Sequence, residues 1–565
     1  MLRVRLRVAP ASPGLPYGLL VLLVLSVLCL ALGPLRIALV PAFGVTWNVV
    51  PGILFLLAAT LYYAKPWDEE PFAEPVVGYP ALLLLLPVAV LPFGYGPSAG
   101  YGLVGHDLSL LGDAARGSRE GLGLLPRLVL AWVPFSVRAL LYASLVVHIG
   151  CSWLVGLLAL RITRDRTVAL LAAILFSVFP LTVEAVAWVT GERMLEGCFL
   201  TLGSILLAAF SRSVEGPTLL RATGSTALRH SRELWRQARR ARALWIAAQA
   251  ASLALLALAM RASHVAIAAP FAIVVIDLLD SGGLSHRVSP WRALRMSLRH
   301  TIPPFVVAAA MLVASPFPAL PSPGPPLLRV MANTLTFARD LVIPLSQAHY
   351  HDQPLIILIG VLLVIELVVI GLVKGRPEAP VLRAVLLLVM ALALPALPFL
   401  TPDESPSGGR FLYLASAAYV ILGSVYMRGA LRVHRESGRW LLMGLAIGVS
   451  VVCLRFNMQT WAKTARVTIL LTDTLARFSE VLPRGTAIVL LDWPEEVDGV
   501  PFAGPRDLEA AIELRRTLTG KPEGPVRVYG PGAPDLPGAR RFRWNPQAHW
   551  VDEVPGAVSP PTPDH

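Results

Sequence analysis

Charged residues are scarce in this chain: Asp, Glu, Lys and Arg together make up 15% of its 565 residues. Soluble domains usually carry about 25% charged residues, so a water-soluble globule of this size would lack the polar surface that it needs. Hydrophobic residues instead make up 55% of the chain. This composition excludes a soluble enzyme, a disordered regulator and a coiled coil, and it predicts a polytopic membrane protein.

Cysteine is scarce as well, and the positions of the cysteines indicate buried thiols. All four lie inside apolar runs, without metal-binding spacing or the crowding of a disulfide framework: Cys29, Cys151, Cys198 and Cys453. His349, His351 and Asp352 could form a metal site, but two histidines at i, i+2 in a loop are weak evidence. We therefore expect no metal and no cofactor.

Long apolar runs dominate the first 460 residues. A helix needs roughly 20 apolar residues to cross about 30 Å of hydrocarbon. About thirteen segments approach this length: 17–35, 40–63, 79–95, 139–160, 167–186, 194–211, 244–260, 264–280, 301–317, 354–373, 384–400, 411–427 and 440–457. The first of them follows three arginines and lacks a clear cleavage site, so we interpret it as an uncleaved anchor.

The distribution of basic residues predicts the orientation of these spans. With the N-terminus in the cytoplasm, roughly half of the 49 Lys and Arg residues fall on inner segments, as the positive-inside rule requires. The arginine-rich 212–242 loop is one of these segments. It has little aromatic content, so a surface helix on anionic lipid explains it better than a nucleic-acid arm. An odd number of spans places the C-terminal segment outside.

Residues 463–565 differ in character from the rest of the chain. Lys463–Leu482 and Pro505–Thr519 show helical periodicity, whereas Thr486–Asp492 and Pro525–Tyr529 are typical of strands. This order predicts a small βαβ-type unit, followed from Glu553 by a Pro-rich disordered tail.

The predicted fold class is an all-α polytopic membrane protein with a small C-terminal α/β domain outside. We expect four parts: 1–78, with the cytoplasmic tip and two extra spans; 79–462, the membrane body; 463–552, the α/β domain; and 553–565, the tail.

Ionisable residues gather at the predicted outer face. Polar groups in or beside a bilayer cost free energy, so each of these residues is a candidate for a functional role. Those that could take part in chemistry are His106, Asp107, Asp113, Glu184, Arg193, His264, Arg339, Arg410 and, beside the last, Tyr413. A carboxylate could take a proton from an acceptor hydroxyl, and arginines could hold a phosphate by paired hydrogen bonds. This mixture suits a reaction on a lipid-linked anionic substrate.

Four stretches resemble motifs of one family, in the family's order. Residues 179–193, FPLTVEAVAWVTGER, are similar to the signature H-P-[LI]-x-V-E-[SA]-V-A-W-[IV]-[ST]-[EG]-R. Residues 142–163 resemble the helix with N-L-x-x-H, 264–278 the helix A-V-T-L-P-L-x-x-x-x-x-D, and 409–414, GRFLYL, the turn D-R-Y-x-Y-L. The family is that of the GT-C glycosyltransferases related to tetratricopeptide-repeat-containing protein O-mannosyltransferases and their bacterial relatives. The resemblance covers roughly residues 80–455, without the repeats.

The resemblance implies a GT-C-like membrane body and an inverting transfer at the outer face, from a polyprenyl-phosphate sugar to a hydroxyl acceptor. It assigns the catalytic base to Asp107, with Asp113 in reserve, and nominates Glu184, Arg193 and Arg410 for the donor phosphate or the loop architecture. The expected location is the bacterial inner membrane, with the α/β domain in the periplasm. Its expected partners are the lipid-linked sugar, membrane lipid and a protein or glycan acceptor, and no nucleic acid.

Simpler interpretations stay open at several positions. Asp107 could only cap the helix that follows it, Glu184 could shape its turn, and Arg410 could be an interfacial anchor. Trp188 fits an aromatic belt better than a sugar platform, and His148 a helix-packing hydrogen bond better than a ligand. Two other functions also stay open: a transporter or lipid flippase, and a non-catalytic scaffold descended from such enzymes.

Overall fold

The computed structural model describes most of the chain from residue 80 onwards, and it is mostly helical. The described residues are 38–40, 45–46, 80–96, 104, 107–115, 122–132, 137–189, 191–224, 232–281, 284, 290–314, 341, 379–393, 409–433, 436–481, 487–491, 493–494, 496–497, 500–518, 527–530, 536, 539–545 and 550–554. The predicted helical membrane protein with a small sheet is confirmed at this level.

The helices of the membrane body run in the order in which the apolar segments occur. They are α1 (Pro80–Tyr95), α2 (Asp107–Ala115), α3 (Leu124–Trp132), α4 (Val137–Thr163), α5 (Arg166–Ser177), α6 (Val183–Ala187), α7 (Glu192–Gly224), α8 (Arg232–Ala262), α9 (Ala269–Asp280), α10 (Pro290–Ala314), α11 (Ala379–Ala393), α12 (Gly409–Val433) and α13 (Glu436–Val481). Short 3₁₀ turns precede α6 at Pro180–Thr182 and α9 at His264–Ala268.

Five helical segments of the described chain are long and apolar enough to cross a membrane. They are Val137–Thr163, Arg193–Arg212, Arg239–Ala262, Phe411–Arg428 and Met443–Ser479, and the bent pair Arg166–Ser177 with Pro180–Ala187 would make a sixth. Each corresponds to a predicted span. Membrane crossing is thus supported, but the predicted thirteen-span topology is not confirmed.

The other predicted spans have different outcomes. The described parts of the predicted spans 79–95, 301–317 and 384–400 contain shorter apolar helices, at Leu85–Tyr95, His300–Ala314 and Val381–Ala393. The segment 264–280 is divided between a 3₁₀ turn and the 12-residue α9. An antiparallel pair, β1 (Ala38–Val40) and β2 (Val45–Thr46), lies where the 40–63 span was predicted to begin. The spans 17–35 and 354–373 lie outside the described residues.

The bend between α5 and α6 measures 47° and is stabilised by neighbouring helices. Pro180 has no backbone N–H to continue the helix, so carbonyl groups at the break need other donors. The Nε2 of His148 lies 3.1 Å from the carbonyl oxygen of Ser177. The side-chain amide of Asn457 donates to the carbonyl of Pro180 at 3.1 Å. Side chains from α4 and α13 thus make a broken helix tolerable in an apolar environment.

Small and hydroxyl-bearing residues allow α7 and α8 to pack closely along their length. The hydroxyl of Ser204 donates to the carbonyl of Ser252, and the hydroxyl of Ser252 donates to the carbonyl of Ser204, both at 2.8 Å. Inside lipid the hydrophobic effect does not drive helices together, so such hydrogen bonds between helices contribute to their association. Cys151 and Cys198 are buried free thiols, as predicted, and Cys453 is a half-buried free thiol.

Among the residues that the structure describes, three ion pairs join helix ends at the predicted cytoplasmic side. Arg212 pairs with Asp277, Arg161 pairs with Asp280 at 2.5 Å, and Arg428 pairs with Asp165 at 3.0 Å. The Asp165 carboxylate also accepts the backbone N–H groups of Thr167 and Val168, so it caps α5. These pairs connect α4, α5, α7, α9 and α12 on one side of the body.

The long helix α13 links the membrane body to the C-terminal domain without interruption. Its 46 residues correspond to about 69 Å, roughly twice the hydrocarbon thickness. The predicted boundary between 462 and 463 lies inside this helix. Body and domain therefore share one rigid element.

The C-terminal domain contains one four-stranded mixed sheet in the order β6-β3-β7-β8. Its strands are β3 (Ala487–Leu491), β6 (Arg527–Tyr529), β7 (Arg540–Asn545) and β8 (Trp550–Val554), with a hairpin of β4 (Glu496–Val497) and β5 (Val500–Pro501) and the helix α14 (Pro505–Leu518) between β3 and β6. Strand β3 pairs in parallel with β6 and β7, whereas β8 is antiparallel to β7. The predicted β3–α14–β6 unit is present, and β8 runs two residues past the expected domain end.

A second hydrophobic cluster joins this domain to α2. Leu108 and Leu111 of α2 belong to the same buried cluster as Leu475 of α13, Ile512 of α14 and Phe542 of β7. A Cβ atom on Gly112 would lie 2.9 Å from the Cβ of Ala510, so α2 and α14 approach as closely as glycine permits. The domain therefore covers α2 directly.

Candidate functional site

Asp107 lies at the start of α2 and is directly bonded to the 179–193 segment. Its carboxylate accepts the backbone N–H of Val189 at 3.3 Å, across 82 residues of sequence, and the residue is only 1% exposed. The backbone N–H of Asp107 itself bonds to the carbonyl of Val104. The structure thus joins the predicted catalytic carboxylate to the signature-like segment.

Glu184 lies in the single-turn helix α6, which is followed by a tight turn. The N–H of Trp188 bonds to the carbonyl of Glu184, and the N–H of Gly191 bonds to the carbonyl of Trp188. A Cβ atom on Gly191 would come within 2.8 Å of the Glu184 carbonyl oxygen. Only glycine fits this turn unchanged. Glu184 is buried, and its turn carries the N–H group that Asp107 binds.

Three residues that sequence patterns alone did not single out hold this turn in place. The hydroxyl of Tyr95 in α1 is 2.6 Å from that of Thr182, Asn457 in α13 bonds to Pro180, and Trp461 in α13 contacts Trp188 with ring centroids 5.9 Å apart. Of the three, only Asn457 could have been recognised from the sequence, because it is a polar residue inside an apolar run.

Trp188 is buried against α13 rather than placed in an aromatic belt. This corrects the expectation of a lipid-interface residue, and the burial also leaves no exposed indole face for a sugar. The contact with Trp461 depends on the continuation of α13 past residue 457, which the sequence pattern did not predict.

Arg193 and His264 lie on adjoining segments of the same region. Arg193 is exposed in the first turn of α7, and His264 is half-buried in the 3₁₀ turn after α8. The two segments touch, because the hydroxyl of Ser263 contacts the sulfur of Met194 at 2.9 Å. Arg193 is therefore an exposed arginine near the start of α7, two residues after the Gly191 turn.

Tyr413 is fully buried in an aromatic group with His148 and Phe176. Its hydroxyl lies 2.6 Å from Nδ1 of His148. Because Nε2 of His148 faces the carbonyl of Ser177, Nε2 carries the proton and the Tyr413 hydroxyl donates to Nδ1. The predicted helix-packing role of His148 is confirmed. Tyr413 has the contacts of a packing residue, in place of the expected contact with substrate.

The remaining predicted site residues are only partly described. Asp113 and Arg410 lie in the backbones of α2 and α12, but their side chains are outside the described part of the structure. The helix α12 packs against the Pro180–Thr182 turn and α6, so the backbone of Arg410, in its first turn, belongs to an element that contacts the site. The other positions, His106, Arg339, His349, His351 and Asp352, lie outside the described residues.

The chemistry available at this site depends on its carboxylates and arginines. Among the described residues no group of three or more His, Cys, Asp or Glu side chains could hold a metal ion. Comparisons of the chain with protein-family models, with characterised proteins and with solved structures give no match. The described residues of the region include a buried carboxylate, Asp107, that could accept a proton, and an exposed arginine, Arg193, that could bind an anion.

Proposed function

We propose that the chain is an inverting membrane glycosyltransferase of the GT-C type, which moves a sugar from a polyprenyl-phosphate carrier to a hydroxyl acceptor. The observation that carries this proposal is the hydrogen bond between Asp107 and the N–H of Val189. It brings together the candidate base and the signature-like segment, which the family resemblance assigns to one reaction. We place the reaction at the periplasmic face of a bacterial inner membrane.

In the proposed reaction the acceptor hydroxyl attacks the anomeric carbon of the donor sugar. The Asp107 carboxylate takes the hydroxyl proton, a new C–O bond forms, and the bond between the anomeric carbon and the phosphate oxygen breaks. The polyprenyl phosphate leaves with the bonding electrons. Arg193, exposed at the start of α7, and Arg410 are the proposed partners of the charge on the departing phosphate.

Substrate access is the strongest structural demand of this proposal. Asp107 is 1% exposed, and α14 of the C-terminal domain packs against α2, the helix that Asp107 begins. An acceptor can reach the carboxylate only if α2 moves or the contact between α2 and α14 opens. In the second case the close approach of Gly112 and Ala510 widens, as happens in enzymes that close over their substrates.

The same burial supports a second candidate function, a non-catalytic membrane scaffold. In this role the Asp107 carboxylate holds α2 against the 179–193 segment, and the C-terminal domain presents its outer surface to a partner. Both observations that favour it concern structure alone: Asp107 accepts a backbone N–H, and Tyr413 is fully buried.

A transfer assay on the full chain separates the two candidates. The purified protein in nanodiscs is incubated with a panel of radiolabelled polyprenyl-phosphate sugars and with hydroxyl-bearing peptide and glycan acceptors. We expect Asp107→Asn to lower the transfer rate by about 10²–10⁴-fold, the usual contribution of a positioned general base. Asp280→Asn, the same chemical change at the opposite end of the body, should keep the rate within a few-fold of the wild type.

Two outcomes would contradict the glycosyltransferase proposal in different ways. Full activity in a folded Asp107→Asn variant removes this residue from the mechanism. If the wild type turns over no donor although its unfolding midpoint equals that of the variants, the result favours the scaffold.

A further inference from the structure

The short helix α3 presents an apolar face that no described part of the protein covers. Leu124, Leu128 and Trp132 are 66%, 48% and 86% exposed, and their spacing of four residues puts them on one side of the helix. A helix face in water is normally polar. The opposite side is apolar too, since Val129 and Leu130 pack against the second hydrophobic cluster.

The position of α3 places this face at the membrane surface. Helix α3 packs against α4 and α7, which both contain candidate membrane spans. Trp132 is five residues before Val137, the first residue of α4, so the two lie at most about 18 Å apart. Helix α4 itself exposes Val146, as expected of a side that faces lipid. The apolar face of α3 is therefore close to the start of a helix that also exposes apolar side chains.

The charge of α3 fits a lipid surface. Its only ionisable residue is Arg127, which is exposed, and Arg138 at the start of α4 is exposed as well. Basic side chains on a helix whose other exposed residues are apolar are typical of helices that lie in the membrane interface, where the cation meets anionic headgroups. Trp132 also fits a position at the membrane interface, because tryptophan is enriched there.

A carboxylate from α7 fixes α3 in this position. Both terminal oxygens of Glu196 accept backbone N–H groups at the start of α3, from Leu124 at 3.0 Å and from Leu125 at 2.5 Å. A Cβ atom on Gly123 would come within 2.9 Å of this carboxylate. The start of α3 is therefore attached to α7 one turn beyond Arg193, rather than carried on a free loop.

We propose that α3 is an interfacial helix whose Leu124, Leu128 and Trp132 side chains are immersed in the lipid leaflet on the Asp107 side of the membrane body. The occupant of the apolar face is bilayer lipid, with Arg127 at the headgroups. Glu196 then transmits the depth of α3 to the first turn of α7, which sets the height of Arg193 above the hydrocarbon. This inference does not depend on catalysis.

Depth-dependent quenching in nanodiscs that hold one copy of the full chain tests the proposal. An environment-sensitive fluorophore is attached to Leu128→Cys and, separately, to Trp132→Cys, and the wild-type signal from native cysteines is subtracted. Val146→Cys is the control for lipid exposure, and Arg506→Cys, exposed in the first turn of α14, is the control for water. The discs contain phosphatidylcholine and phosphatidylglycerol, with or without acyl-chain spin labels.

We expect the spin-labelled lipid to quench the fluorophores at 128 and 132 at least half as strongly as at 146. Aqueous iodide should quench them at least threefold less than at 506. Iodide quenching at both positions equal to that at 506 would overturn the proposal, because the face would then be in water. Protection from both quenchers would overturn it too, because protein and not lipid would then cover the helix.

Discussion

The side-chain amide of Asn457 donates a hydrogen bond to the backbone carbonyl of Pro180, across 277 residues of sequence. This bond gives the Pro180 carbonyl, at the break between α5 and α6, a donor from α13. It also fixes the turn that supplies the N–H of Val189 to Asp107. The candidate site is thus supported by the last membrane helix, the same helix that extends into the C-terminal domain.

Removal of this bond should destabilise the protein. In Asn457→Leu the Pro180 carbonyl loses this buried hydrogen bond, which costs about 1 kcal/mol. We expect a lower midpoint of thermal unfolding for the full chain in detergent or nanodiscs. Gln459→Leu is the matched control, because Gln459 is exposed on the same helix. An equal midpoint for the two variants would show that the Asn457 bond contributes nothing measurable.

The turn at Gly191 should not tolerate a larger residue. In Gly191→Ala the new methyl group meets the carbonyl oxygen of Glu184 at 2.8 Å, so the backbone must shift and Val189 moves away from Asp107. Overpacking of this kind costs about 1–3 kcal/mol. Gly423→Ala is the control, because a Cβ there meets nothing within 4 Å and alanine favours a helix by up to about 1 kcal/mol.

We expect Gly191→Ala to lower the unfolding midpoint and to speed hydrogen exchange at the N–H of Val189, while Gly423→Ala leaves both unchanged or raises the midpoint. Unchanged exchange at Val189 in Gly191→Ala would contradict the tight fit of this turn.

Local patterns in the sequence predicted the elements whose cause is local. The strand at β3 follows from a run of β-branched and aliphatic residues, and α14 from amphipathic periodicity, so both were predicted within one or two residues of their bounds. The continuity of α13 was not predicted, because the change from lipid-facing to water-facing residues near 460 resembles a domain boundary although the backbone does not break.

Local sequence patterns did not predict the contacts between segments that are far apart in the sequence. No local rule connects Asp107 with Val189, 82 positions apart. Only the family resemblance assigned Asp107 and the 179–193 segment to the same reaction, and it did not predict this bond. The burial of Trp188 and Tyr413 was missed for the same reason. An aromatic residue near a span end has the same local pattern in an interfacial belt and in a buried contact, and only the position of the partner helix distinguishes them.

The ion pair of Arg212 and Asp277 should contribute far more to stability than the neighbouring pair of Arg161 and Asp280. Asp277 is 2% exposed and also accepts the hydroxyl of Ser297, so Arg212→Met leaves a buried charge at a cost of about 3–5 kcal/mol. Removal of Arg161 from the more exposed pair with Asp280 should cost at most about 1 kcal/mol. Unfolding midpoints of the two variants measure the difference.

A second substitution identifies the cause of that cost. If the uncompensated charge of Asp277 destabilises Arg212→Met, then Arg212→Met with Asp277→Leu should recover most of the lost stability. A double variant as unstable as Arg212→Met alone would assign the loss to packing instead.

Separation of α2 from α14 should expose the region of Asp107. Gly112→Leu cannot fit against Ala510, where even a Cβ would lie 2.9 Å away, so we expect the two helices to part. Hydrogen exchange at α2 amides should rise about tenfold, the equivalent of 1.4 kcal/mol. Arg506→Leu on an exposed position of α14 is the control. Unchanged exchange in a folded Gly112→Leu variant would show that the two helices adapt without opening.

The orientation of the whole molecule can be tested at two exposed arginines on opposite sides. Arg506 lies in α14, which packs against α2, the helix that begins at Asp107. Arg240 lies in the predicted inner arginine-rich 212–242 loop, at the start of the candidate span Arg239–Ala262 in α8. In spheroplasts, a membrane-impermeant maleimide should label Arg506→Cys but not Arg240→Cys, and after permeabilisation it should label both. This outcome follows from the retention of basic loops in the cytoplasm. The reverse labelling would put Asp107 in the cytoplasm, where a periplasmic acceptor could not reach it.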